Sequence, residues 1–134
     1  MTKERLRHYR AIKREADQIA GQLEAVEARL YGPRGQRLTG MPSAPSPDAG
    51  AATEALMDQH AQLMQRYREQ LAQLEAEQLA VEEAIRSLPP ASRTLMRYRY
   101  IDGLKWEEVC VRMHYSWTQT HEMHGRALAM LADK

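Results

Sequence analysis

The chain has a single cysteine, Cys110, in its 134 residues, so no intramolecular disulfide holds it together. It lacks any apolar run long enough for the core of a signal peptide or for a membrane span, which makes a cytoplasmic protein with no membrane partner the expectation. Charge excess is also missing. Nineteen basic residues against 18 acidic leave a net +1, short of the large positive field that drives tight non-specific binding to nucleic acid. A Gly-rich phosphate loop, a carboxylate pair in an evident pocket and a nucleophile elbow are all absent, so no catalytic residue and no cofactor are expected. Glu107 and Glu108 are better explained as early-turn acids that favour a helix dipole.

What is present is helical periodicity, and the fold class it predicts is all-α. Tyr9, Ile12, Ala16, Ile19, Leu23, Val26 and Leu30 alternate spacings of three and four, the a/d seam of a heptad pattern on a helix over about 3–31. A second helix, over about 53–87, repeats the habit through Leu56, His60, Leu63, Tyr67, Leu71, Leu74, Gln78, Val81 and Ile85, with a stutter between Tyr67 and Leu71. His60 and Gln78 interrupt its apolar line and read as devices that fix register or oligomer state. Between the helices, residues 32–52 hold four prolines and four glycines, a composition that buries little and predicts a flexible loop. Residues 1–87 therefore read as an antiparallel coiled-coil hairpin, with homo-oligomerisation through it expected.

Residues 88–134 read as a separate domain of three short helices. Pro89 and Pro90 cannot continue the preceding helix but suit the first turn of a new one, where the missing N–H has no partner anyway. That helix carries Leu95, Met96, Tyr98 and Tyr100 and ends at Asp102-Gly103. A two-turn helix from Trp106 to Met113 follows, with Val109, Cys110 and Met113 inward, so Cys110 reads as a buried inert thiol. Ser116 and Gln119 then form a capping box that opens a third helix running to about Met130. Two helices joined by a turn of three or four residues, the second longer and serine-capped, have the spacing of a unit that places its second helix in the DNA major groove.

The residues that carry a resemblance are Leu88-Pro89-Pro90, Arg97 to Leu104, Trp106-Glu107-Glu108-Val109, Tyr115-Ser116 and Arg126-Ala127-Leu128. This segment resembles region four of bacterial sigma factors and, more closely, phage late-transcription activators of the RinA/ArpU type. The resemblance implies a sigma region-four-like helix-turn-helix, double-stranded DNA as partner, and action with host RNA polymerase on late or packaging genes. Glu122 and Thr120 depart from the family pattern, which usually has a basic and an apolar residue there. A preferred operator different from that of relatives follows, since a carboxylate accepts from cytosine but repels phosphate.

On the third helix Trp117, His121 and Gly125 form one i,i+4 row with Thr118 and Glu122 beside it, while Thr120, Met123, Ala127, Leu128 and Leu131 face inward. The outer row supplies the base-contact candidates Trp117, Thr118, Gln119, His121 and Glu122; Arg93, Arg97, Lys105 and Arg126 are the phosphate-contact candidates. Arg99 reads instead as structural, its stem covering apolar surface. Cys110, His114, His121 and His124 do not have the spacing of two closing knuckles, so no metal is expected. Two other readings stand beside the regulator: a coiled-coil adaptor that binds polymerase or another protein without reading DNA, and a phage DNA-packaging protein.

Overall fold

A computed structural model describes residues 1–32 and 49–133. Among the described residues every regular element is helical: α1 (Lys3–Tyr31), α2 (Ala49–Arg86), α3 (Pro90–Met96), a wider π segment (Arg97–Ile101), α4 (Trp106–Met113) and α5 (Trp117–Ala132). None of these helices is long and apolar enough to cross a membrane. The sequence places the limits of α1 where the structure has them, whereas α2 starts four residues before the expected Thr53. Residues 49–52 are thus helical rather than loop, and the rest of the predicted loop, 33–48, lies outside the described residues.

The chain forms two compact units whose limits differ from the expected boundary after residue 87. One unit is Met1–Arg14 with Gln73–Lys134; the other is Glu15–Ala72. The physical reason is that the predicted seam serves two cores. Leu6 and Tyr9 of α1, with Val81 and Ile85 of α2, are buried among Leu88, Leu95, Met96, Tyr100, Val109, Ala127 and Leu131 of the C-terminal segment. Ile19, Leu23, Val26 and Leu63 form a separate cluster with Leu30, Leu56, Met64 and Tyr67 around it. Burying each such aliphatic side chain contributes roughly 1.5–3 kcal/mol.

Within the unit Glu15–Ala72 the two helical stretches run antiparallel. Gln70 Nε2 donates to Glu15 Oε2 at 3.0 Å near one end, and His60 Nε2 lies 3.0 Å from Glu27 Oε1 further along. His60 is therefore half-buried beside the apolar line, with a carboxylate partner on the facing helix.

In the other unit, α2 ends where the proline pair removes two donors in succession. Ser87 Oγ donates to the Ala84 carbonyl at 2.9 Å, and Pro90 occupies the first turn of α3. The single helix expected up to Asp102 is instead α3 followed by the π segment, which closes with Asp102 N–H donating to the Arg97 carbonyl, five residues back, at 2.8 Å. One extra residue in the turn shifts the side-chain register. Tyr100 and Ile101 consequently both point into the core while Arg99 reaches forward to donate to the Leu104 carbonyl at 3.0 Å. Gly103, at φ 71°, makes the turn into α4 in a conformation that suits a residue without Cβ. The N-terminus is tied to the same unit: the Met1 ammonium donates to the Leu131 carbonyl at 3.2 Å, and Lys13 Nζ donates to the Ile101 carbonyl.

Candidate nucleic-acid interface

The turn between α4 and α5 is three residues long, His114 to Ser116, and each residue has a local cause. His114 is left-handed at φ 59°, with its N–H donating to the Val111 carbonyl (3.3 Å) and the Tyr115 N–H to the Cys110 carbonyl (3.2 Å). This is the Schellman arrangement that satisfies the last carbonyls of a helix, built on histidine where glycine is commoner. Ser116 then caps α5: its Oγ accepts from Gln119 N–H at 3.1 Å, and Gln119 Oε1 accepts from Ser116 N–H at 3.0 Å. The capping box read from the sequence is present.

The inner stripe of α5 is Thr120, His124, Ala127 and Leu131, all buried, with Met123 and Leu128 half-buried beside it. Thr120 is accommodated because its Oγ1 donates to the Ser116 carbonyl at 2.9 Å, so the hydroxyl enters the core with a partner. His124 is the member that the sequence reading omits, although i, i+4, i+7 and i+11 spacing from Thr120 to Leu131 leads to it. Its Nε2 is hydrogen-bonded to the Tyr100 hydroxyl at 2.8 Å, and its ring meets the Trp106 ring edge-on at 4.6 Å. Burial above all, then the charge of Lys3, pulls its pKa down to about 4, so the buried ring is neutral.

The outer candidates divide. Trp117 (54% exposed), Thr118, Glu122 and Arg126 are open, and Glu122, Gly125, Arg126 and Ala129 line a shallow groove on α5. A Cβ at Gly125 would meet nothing within 4 Å, so the helix surface there is free. Gln119 is exposed, but its side-chain carbonyl is committed to the cap, leaving the amide NH₂. His121 is the correction. The row predicts it on the open face, whereas its ring lies between Trp106 (4.5 Å) and Trp117 (4.3 Å), with Nε2 buried and unpaired. Two large indoles close over the imidazole because burying ring faces outweighs leaving them wet.

That stack continues. The Arg99 guanidinium sits 4.4 Å from the Trp106 ring centre, so a cation, an indole, an imidazole and a second, half-exposed indole follow one another along one edge of the unit. The covering role expected of Arg99 is thus played over an indole. Of the phosphate candidates, Lys105 is exposed at the cap of α4, Arg126 is exposed on α5, and Arg93 is half-buried in a groove shared with Arg97. Arg97 is engaged with Glu82 at 3.4 Å. Cys110 is half-buried rather than buried. Among the described residues, no three histidine, cysteine or carboxylate side chains converge into a group that would hold a metal ion.

Electrostatics separate the two units. The unit Met1–Arg14 with Gln73–Lys134 carries 14 basic against 10 acidic residues, while Glu15–Ala72 carries five against eight, so the chain's +1 is the sum of +4 and −3. No family model, curated protein or solved structure matches the chain.

Proposed function

We propose that this protein is a sequence-specific DNA-binding transcriptional regulator, with α4 and α5 as a helix-turn-helix of the sigma region-four kind and α5 entering the major groove. The observation that carries the reading is the placement of charge and exposure together. The unit with α5 holds the chain's positive excess, and the first turns of α5 present Trp117, Thr118, the Gln119 amide and Glu122 to solvent. A positive field supplies approach and orientation, and side chains of this kind supply base contacts. Lys105, Arg126 and Arg93 are the phosphate contacts in this reading. His121 acts through Trp117, whose indole it supports.

The paired helices of Glu15–Ala72 form a coiled-coil hairpin that joins two copies. An activator of phage late or packaging genes working with host RNA polymerase in the bacterial cytoplasm is the form that the sequence resemblance favours, and no catalytic role is assigned. The test is selection of a random-sequence DNA pool on the full-length protein. A motif is enriched, and Glu122→Gln changes the preference at one base position while leaving the others in place. A pool that emerges without any enriched motif refutes the reading and favours an adaptor that binds proteins alone.

A further inference from the structure

Six of the first fourteen residues are basic and one is acidic, and none of these cations belongs to the interface described above. Arg7, Arg10 and Arg14 follow one another at spacings of three and four on α1, so they form one line beside the buried Leu6, Tyr9 and Ile12. Their unit is the one that contains α5. The arginine ion pairs of that unit are Arg5 with Glu77, Arg97 with Glu82 and Arg86 with Glu83; Arg7, Arg10, Arg14 and Arg99 stand in none among the described residues. Lys13 Nζ reaches the Ile101 carbonyl, which brings this stretch of α1 against the π segment from which Arg99 projects.

Arg10 and Arg99 lie within reach of the other cations of this surface. Burial, then the charge of Arg14, lowers the pKa of Arg10; burial, then the charge of Arg10, lowers that of Arg99. Glu107 faces Arg99 and offsets this only in part. The charges of Lys3, Arg99 and Arg7 also reach His124 on α5. Like charges three and four apart on a helix repel each other, and a bound anion relieves that repulsion.

We infer that Arg7, Arg10 and Arg14, with Arg99, form a second anion-binding surface that takes the phosphate backbone of duplex DNA. This deepens the DNA reading and rests on it. From Arg7 to Arg14 the line is about 10 Å long at ~1.5 Å per residue, comparable to the axial rise of about three nucleotides of one strand at ~3.4 Å each. Arginine suits the task, since its fork donates to two phosphate oxygens at once. The surface reads no bases, so it raises affinity for all duplexes alike.

The experiment measures binding of the full-length protein to a random-sequence duplex by fluorescence anisotropy across a salt series. Replacing all three residues (R7Q/R10Q/R14Q) lowers the slope of log K against log salt by about 2 to 3, near 0.9 for each phosphate that is no longer neutralised. Each single variant lowers it by about 1 on the same basis. The lysine triple R7K/R10K/R14K keeps most of the slope, and R66Q/R68Q, on the other unit, leaves it unchanged. Thermal unfolding of the glutamine triple stays at or slightly above that of the parent, because repulsion is relieved. A parent-like slope in the triple, an equal loss in R66Q/R68Q, or no binding of random duplex by the parent overturns the inference, the last also admitting an acidic protein as the true partner. The motif-enrichment result stands or falls separately, so failure of this surface is distinguishable from failure of the DNA reading.

Discussion

His124 offers the sharpest test of the core. Its ring is only 7% exposed and its Nε2 is hydrogen-bonded to the Tyr100 hydroxyl, while burial holds its pKa at about 4 against 6.5 for the ordinary group. The folded state therefore keeps the ring neutral where the unfolded state already binds a proton, and stability rises with pH across that interval. It is complete above about pH 6.5 and falls as the pH drops towards 4. At ~1.4 kcal/mol per pKa unit the full loss is about 3 to 4 kcal/mol. Urea unfolding followed by circular dichroism at a series of pH values from 7.5 to 4 measures it. Carboxylates also titrate at the lower end, so the decisive quantity is the difference between the parent and His124→Gln, which lacks the titrating ring. The parent should lose about 3 kcal/mol more than the variant over this range. Parallel profiles would refute the claim that this histidine is buried neutral.

Three substitutions probe other parts of the same geometry. Leu95→Ala removes a fully buried side chain at the centre of the C-terminal core and should cost about 2 to 5 kcal/mol in urea unfolding. Ser116→Ala deletes the acceptor for Gln119 N–H and should cost about 0.5 to 2 kcal/mol, with the loss seen in the same experiment. His114→Gly relieves a left-handed non-glycine residue whose side chain is exposed; it should stabilise the protein by about 0.5 to 1 kcal/mol, the strain removed being partly offset by the freedom glycine adds to the unfolded chain.

Much of the architecture is readable from periodicity and punctuation. The seven a/d positions of α1 predict its buried line, and the proline pair, Asp102-Gly103 and Ser116 with Gln119 each mark a helix limit that the backbone respects. These signals are local, so they survive without tertiary information. The features that escape are those set by long-range packing. The π segment is one of them: it widens the helix over Arg97–Ile101, where Tyr100 and Ile101 join the core, and no local sequence signal marks it. The start of α2 is hidden because Ala49, Gly50, Ala51 and Ala52 offer no apolar rhythm after the proline-rich stretch. The two compact units are invisible in the heptads, since one seam contributes to both cores. At the site, Trp117, Thr118 and Glu122 lie open as their spacing implies, but His121 is covered by Trp106, a residue of the preceding helix whose approach no helical wheel contains. The arginine line of α1 is legible in the spacing, yet its proximity to Arg99 is a tertiary fact.

The central claim is that α5 reads duplex DNA. Its most direct test is a salt-titrated anisotropy measurement of the full-length protein on duplexes tiling the DNA that flanks its own coding sequence, with a shuffled duplex as comparison. One tile should bind at least about 10³-fold tighter than its shuffled form at physiological salt, with an advantage that persists as salt rises. Equal binding to every tile and to the shuffled duplex, or no binding at any ionic strength, would contradict it.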